Sequence, residues 1–399
     1  MPDFRPFAAL RYAPGTDLQA VLAPPYDVLS DDEVTELHER DPHNICHIDV
    51  PANQDYAHAG QLLRQWVADG VLTLDPGPSL SVYRLSFSDA TGERRQIAGV
   101  IGGLEVVDEG VRTGRTTVLP HERTTPKATT DRLDLTRATG ANLSPVWGLS
   151  LADGLADALS APGDLVGTAR FEGVDHRVER VSDPERVGAI RAILASDDVL
   201  IADGHHRYSI SRTYRDEVRA ATGRTDSAAE QTLTFVSQLI EDQLSIEAIH
   251  RLYTGVSADQ LRGALGRRFD FAPAGPVTPA TLKDMVALGR LVVLWGDGTA
   301  EWLIAKPGAF DEVRALDGAW LEAALADSGA VVDYQHGLDE ILNRVASGGF
   351  VAGILIRPTS IDEIRRTARE GLLMPPKSTF FTPKLLTGWV VRPTEPLPA

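Results

Sequence analysis

Four consecutive apolar residues, Val199-Leu200-Ile201-Ala202, run straight into Asp203-Gly204-His205-His206-Arg207. An apolar run this short, bounded by a turn signal, reads as a buried strand. The glycine after it permits a tight turn, and a helical pattern follows to about Thr222. A chain organised around such a strand–turn–helix is neither all-helical nor all-β. Just upstream, Val187, Ile190, Ile193 and Leu194 recur at helical spacing between Pro184 and Ala195. Downstream, residues 232 to 240 read as another strand.

The remaining segments mix both periodicities. Val21 to Val28 contains Pro24-Pro25, which forbids a helix and suggests an extended strand entering a rigid turn at Tyr26-Asp27. Ser30, followed by Asp31, Asp32 and Glu33, predicts an N-cap and acidic first turn for a helix to about Glu39. A second helix is expected from Gln54 to Asp69. Residues 79–88 and 94–106 form a predicted hairpin across Asp89-Ala90-Thr91-Gly92. Residues 110–148 read as one long, polar, Thr-rich irregular segment, a type of segment that is often functional. Beyond Ser257, helices and strands alternate loosely, with a hairpin across Gly296-Asp297-Gly298. There is no strict βαβ repeat, so the expected class is α+β. The 35 Gly and 25 Pro are scattered rather than clustered, which excludes a collagen-like or disordered tract.

The single cysteine, Cys46, excludes an internal disulfide. The start Met1-Pro2-Asp3-Phe4-Arg5 lacks the basic and apolar regions of a secretory signal, and no apolar stretch is long enough to span a bilayer. A cytoplasmic location without membrane contact is the resulting expectation. The formal net charge of -17 argues against a dedicated DNA-binding protein. It leaves room for small anions, which need only a few cations and backbone amides.

Three constellations could carry chemistry. In the first, the Gly204 turn opens a helix whose leading N–H groups favour an anion. Arg207 offers a planar cationic fork for phosphate oxygens. His205 and His206 can donate hydrogen bonds or shuttle a proton, and Asp203 can hold a metal cation or orient a hydroxyl. The plainer alternative has Asp203 capping the helix and the histidines as satisfied surface polars. The second constellation is His121-Glu122-Arg123 with Thr124, Thr125 and Lys127, where Glu122 could act as general base; a solvated polar loop is an equal reading. The third is Lys377-Ser378-Thr379 with Lys384, set among Pro375, Pro376, Phe380, Phe381 and Pro383: a ligand-site wall, or a strap packing its aromatics on the core. His43, Cys46 and His47 have helix-compatible metal spacing. Ile45, Ile48 and Val50, however, read as extended, which would turn Cys46 away from both histidines. The sequon Asn142-Leu143-Ser144 has no secretory route to support it.

Several of these segments together resemble a known family. Pro24-Pro25-Tyr26-Asp27-Val28, His121-Glu122 with Pro126-Lys127, Asp131-Arg132-Leu133, Asn142-Leu143-Ser144-Pro145, Ala202 to Tyr208 and Met374 to Lys384 are similar to the signature of a large bacterial domain-of-unknown-function family, often labelled ParB-like. The Asp-Gly-His-His-Arg element is also similar to the core motif of the ParB and sulfiredoxin superfamily, and nearest to that of its free-serine kinases. The resemblance implies a mixed-sheet ParB/sulfiredoxin-like core with additional α/β elements. It implies a nucleotide-binding core over residues 1–250, and a mixed C-terminal region over 251–399 whose end, 374–384, returns to the site. Nucleotide phosphates would rest on Gly204, His205, His206 and Arg207. Glu122 takes the role of the kinases' glutamate by residue type, with His121 and Asp203 beside it. Tyr26, Asp27, Lys377, Ser378, Thr379 and Lys384 would wall the substrate.

The implied activity is a phosphotransferase that uses ATP or another nucleotide, with Mg²⁺, to phosphorylate a hydroxyl of a free amino acid such as serine. The alternatives are a non-catalytic ParB-like nucleotide-binding or nucleic-acid-associated protein, and a phosphatase or nucleotidase. No helix-turn-helix and no cysteine beside the motif are found, which separates the chain from the partition proteins and from sulfiredoxin.

Overall fold

The computed structural model describes residues 1–89, 92–108, 118–120, 129–374 and 377–395. The chain divides into two units: Met1–Ser88, Arg94–Leu244 and Pro383–Ala399 in one, Asp89–Glu93 and Ser245–Thr382 in the other. The C-terminal segment therefore belongs with the first unit.

In the first unit the strands are β1 (Leu80–Ser88), β2 (Arg94–Glu105), β3 (Val118–Pro120), β4 (Val146–Ser150), β5 (Asp164–Phe171), β6 (Val174–Val181), β7 (Val199–Asp203) and β8 (Gln231–Gln238). They form one mixed sheet in the order β3-β7-β4-β8-β2-β1-β6-β5, and the short strand Phe4–Arg5 pairs with β2. The β3–β7 and β4–β8 pairings are parallel, while β7–β4 and the β2–β1–β6–β5 ladder are antiparallel. Helices α1 (Asp31–Arg40), α2 (Cys46–Asp49), α3 (Tyr56–Ala68), α4 (Thr129–Thr139), α5 (Pro184–Leu194) and α6 (His205–Thr222) belong to the same unit, as do two short helical turns at Leu18–Val21 and Leu155–Ala158. Val199 and Ile201 of β7 pack with Val187, Ile190 and Leu194 of α5, and with Val146, Val236 and Val100 of the neighbouring strands. The helical and strand periodicities seen in the sequence thus meet in one core. The class is mixed α+β.

The capping box at the start of α1 forms, with Ser30 and Glu33 as its partners. Two sequence expectations fail. Residues 110–148 are not one irregular segment: they contain β3, α4 and the first residues of β4. The Thr-rich stretch is helical here because buried Leu135 and contacts with α3 and α6 hold it, while Thr136 and Thr139 satisfy their hydroxyls on the carbonyls of Arg132 (2.8 Å) and Leu135 (2.7 Å). Ala138 approaches α3 so closely that a Cβ on Gly60 would lie 2.1 Å from its carbonyl oxygen. Cys46–Asp49 is a helical turn rather than an extended strand, begun by the Asn44 side chain accepting from the Cys46 N–H (2.9 Å). Cys46 is buried, and among the described residues no group of three or more His, Cys, Asp or Glu could hold a metal.

The C-terminal segment reaches the first unit through backbone bridges. Leu10 and Val391 exchange hydrogen bonds, and Thr387 N donates to Ala23 O (2.8 Å). Buried Arg392 fastens it further, donating to the carbonyls of Gln231 (2.9 Å) and Ala228 (2.7 Å). This route carries Lys384 to the end of β7.

The second unit has strands β9 (His250–Thr254), β10 (Phe269–Pro273), β11 (Leu291–Trp295), β12 (Ala300–Ala305), β13 (Val331–Gln335) and β14 (Ala352–Leu355), all antiparallel, in the order β10-β12-β11-β14-β9-β13. Helices α7 (Ala258–Leu265), α8 (Pro279–Leu288), α9 (Asp317–Leu325), α10 (Leu338–Ala346) and α11 (Ile361–Glu370) flank it. One core gathers Leu261, Phe269, Val293, Leu321 and Ile354; another gathers Met285, Val292, Ile341 and Leu355. Among the described residues no helix is long and apolar enough to cross a membrane.

Candidate functional site

Strand β7 ends on Asp203, Gly204 takes a left-handed conformation (φ 82°, ψ 30°), and α6 begins at His205. Among the described residues no side chain caps this helix start; the intrahelical ladder opens with Tyr208 N donating to Gly204 O (2.9 Å). The amides of His205 and His206 lie ahead of the ladder, where a helix favours negative charge. Glycine is required at 204 for two reasons. Its φ is costly for any residue with a Cβ, and that Cβ would sit 3.0 Å from Arg207 Nε and 3.1 Å from Cζ.

Arg207 does not stand open as the sequence reading expected. Its Nη2 donates to Asp203 Oδ2 (2.8 Å), its Nη1 to the carbonyl of Pro145, and Asp27 Oδ2 lies 3.8 Å away. One turn of helix places residues i and i+4 on the same face, so Arg207 folds back onto Asp203. Lys384 Nζ approaches the other carboxylate oxygen at 3.2 Å. Burial works against ionisation of Asp203, but Lys384 and then Arg207 outweigh it and hold the carboxyl well below the usual range.

A second cluster adjoins this one through Arg207. Arg132 on α4 donates from Nη1 to the Asp49 carbonyl (2.6 Å) and to Asp49 Oδ1 (3.0 Å), and its guanidinium lies 3.4 Å over the Tyr26 ring. Ser144 Oγ donates to Asp49 Oδ2 (3.4 Å) and pairs with Thr387 Oγ1 (3.0 Å). Burial pushes the Asp49 carboxyl up, against the pull of Arg132 and Arg207, and it raises the Tyr26 phenol as well. Tyr26, Asp49, Arg132, Asn142, Ser144 and Arg207 line a cavity of about 50 Å³.

The first unit therefore brings together Tyr26, Asp27, Asp203, Gly204, Arg207 and Lys384, with His205 and His206 in the first turn of α6. Lys377, Ser378 and Thr379 belong to the second unit. There Lys377 has φ 60°, its carbonyl accepts from Arg251 Nη2 (3.2 Å), and the Ser378 carbonyl accepts from Thr359 Oγ1 (3.0 Å). His121 and Glu122 lie outside the described residues. Sequence reasoning missed Asp49 altogether. The available signal was a lone carboxylate inside the apolar run Ile45 to Val50.

The family described as "Protein of unknown function (DUF1015)" matches residues 4–319. The chain belongs to that family. The matched DUF1015 region contains every residue of the two clusters except Lys384 and Thr387, which lie beyond it. The match itself attaches neither a ParB nor a sulfiredoxin label to this DUF1015 chain. No curated protein matches it in sequence. Among solved structures, a free serine kinase in complex with AMP gives a TM-score of 0.37 at 10% identity, covering 67% of this chain and 84% of that one. SbnI with a C-terminal truncation, from Staphylococcus aureus, gives 0.37 at 12% identity, covering 73% and 86%. A conserved hypothetical protein from Pyrococcus furiosus gives 0.35 at 11% identity, covering 67% and 87%. All three likenesses are weak.

Proposed function

We propose that the start of α6 is a nucleotide-phosphate site and that the protein is a phosphotransferase acting on a hydroxyl of a small molecule, a free amino acid such as serine among the candidates. The observation that carries this reading is the left-handed glycine start of an 18-residue helix beside Lys384 and Asp203. An anion there would meet amides pre-aimed by the helix and the cation of Lys384 at little reorganisation cost. The substrate class rests on the Asp-Gly-His-His-Arg resemblance alone.

Phosphoryl transfer asks mainly for positioning and charge neutralisation. Asp203 suits one half of that task. A carboxyl held this acidic is a weak proton acceptor, but it is a persistent hard oxygen ligand, and each of its oxygens keeps a second lone pair beside its present bond. Mg²⁺ is commonly held by one or two carboxylates plus substrate phosphates, so Asp203 is the residue assigned to it; when bound, the ion neutralises phosphate charge. Arg207 fixes Asp203 and is a positioning residue in this reading, while Lys384 is the cation closest to the phosphates. The general base falls to Glu122 by residue type.

The test is direct. Purified protein is titrated calorimetrically with ADP, ATP and CTP, with and without Mg²⁺, and then incubated with each triphosphate and a pool of hydroxyl-bearing amino acids, with products read by mass spectrometry. Nucleotide binding that Lys384→Met abolishes, together with a phosphorylated product, supports the proposal. Binding without turnover would favour the second reading, a nucleotide-binding module, which the commitment of Asp203 to two cations also favours. No binding of any nucleotide rejects both.

A further inference from the structure

We infer that the cavity beneath Tyr26 is a subsite for a small carboxylate. This deepens the phosphotransferase reading, because a carboxylate there would belong to the acceptor substrate, but its support is separate.

Two guanidinium groups, those of Arg132 and Arg207, line a space of only about 50 Å³, against a single lining carboxylate, Asp49. The lining offers two cationic forks to one carboxylate, and with Asp203, Asp27 and Lys384 counted the surrounding cluster is charge-balanced before a ligand arrives. Among the described residues neither arginine finds partners for all its donors. Arg132 commits Nη1 to Asp49 and rests one face on Tyr26, while Nε and Nη2 keep their donors. Arg207 has a buried Nε–H with no acceptor. A buried donor left unmade is costly. Both side chains are largely out of solvent, at 17% and 11% exposure. Each is also fixed before any ligand arrives, one by Asp49 and Tyr26, the other by Asp203 and Pro145. Pre-oriented planar forks match a planar, two-oxygen anion. Tyr26, Ser144 and Asn142 add neutral polar atoms to the wall.

The experiment uses the full chain and simple probes without nucleotide: acetate, glycolate and lactate, against inorganic phosphate, ethanolamine and chloride at equal ionic strength, read by calorimetry and by thermal shift. Saturable binding of the carboxylates alone is expected. Because Arg132→Gln by itself could unfold the protein by stranding Asp49, the working variant is Asp49→Asn with Arg132→Gln, a neutral pair that leaves no unpaired buried charge. It should stay folded and bind carboxylates at least tenfold more weakly. Carboxylate binding unchanged in that variant, an equal response to chloride, or phosphate bound with the same dependence on Arg132 each overturns the inference, and so does an absence of carboxylate binding. ADP binding is measured on the same samples. If ADP binds and carboxylates do not, this subsite fails alone; if carboxylates bind and ADP does not, the subsite stands and the phosphotransferase reading falls.

Discussion

Replacing Gly204 with alanine probes the geometry on which the site depends. A Cβ in the left-handed region costs roughly 1–2 kcal/mol. At Gly204 the added Cβ also meets Arg207 at 3.0 Å from Nε, 3.1 Å from Cζ and 3.3 Å from Nη2. The guanidinium has little freedom to retreat, because Asp203 and the Pro145 carbonyl both hold it. If it moves, part of a charge-assisted hydrogen bond is lost, and such bonds contribute roughly 1.5–3 kcal/mol. Gly204→Ala should therefore destabilise the first unit by about 2–4 kcal/mol. The two contributions separate in a double-mutant cycle. In an Arg207→Ala background the contact is gone, and the same substitution should cost only about 1–2 kcal/mol. Urea unfolding followed by circular dichroism supplies the free energies, and hydrogen–deuterium exchange of β7 and α6 peptides localises the loss. Equal costs in the two backgrounds would refute the contact argument.

Three further outcomes follow from buried groups. Arg132→Ala, which strands the buried Asp49 carboxylate, should cost roughly 3 kcal/mol or more in urea, and adding Asp49→Asn should recover most of it. The Cys46 thiol is buried and burial pushes it up to about 12, so a thiol reagent should leave it unreacted at pH 8 in the native protein and label it only after unfolding. Burial also pushes the His176 imidazole down to about 4, from an ordinary value near 6.5. Between those values the unfolded chain binds the extra proton, so stability should fall as pH falls from about 6.5, by roughly 3 kcal/mol at pH 4. In His176→Gln that part of the slope should vanish from urea midpoints measured across the window, and parallel slopes in the two proteins would count against the burial argument.

The legible parts of the fold were those where one local signal and one burial requirement agreed. The run Val199 to Ala202, the Gly204 turn and the amphipathic α5 were readable because apolar spacing alone decides them. The N-cap of α1 was readable because Ser30 stands directly before an acidic first turn; the reciprocal bond that Glu33 accepts was not foreseen. Helix α4 was not, since its sequence Thr-Thr-Asp-Arg-Leu-Asp-Leu-Thr-Arg-Ala-Thr carries little amphipathic pattern and its stability comes from contacts with α3 and α6. Nor was the turn at Cys46, where the Asn44 side chain and tertiary contacts override a β-like composition. The hairpin of β5 and β6 went unnoticed altogether. Its strands carry charges on the open face, such as Arg170, Asp175 and Arg177, which blur the apolar alternation.

The candidate site shows a general reason why motif residues mislead when read one at a time. Asp203, Arg207 and Lys384 each look like ligand-binding groups in the sequence, yet in the fold they first neutralise one another. A half-buried carboxylate cannot remain ionised without partners, and a nearly buried guanidinium cannot remain unpaired, so placing both near one helix start favours their pairing. What that pairing does not consume, among the described residues, is the remaining lone pairs of Asp203 and the unmet Nε–H of Arg207. The same accounting applied to Asp49 and Arg132 leaves the free edge of Arg132. Residue type therefore singled out a region, whereas the donors and acceptors still available there could be named only after the internal bonds were known.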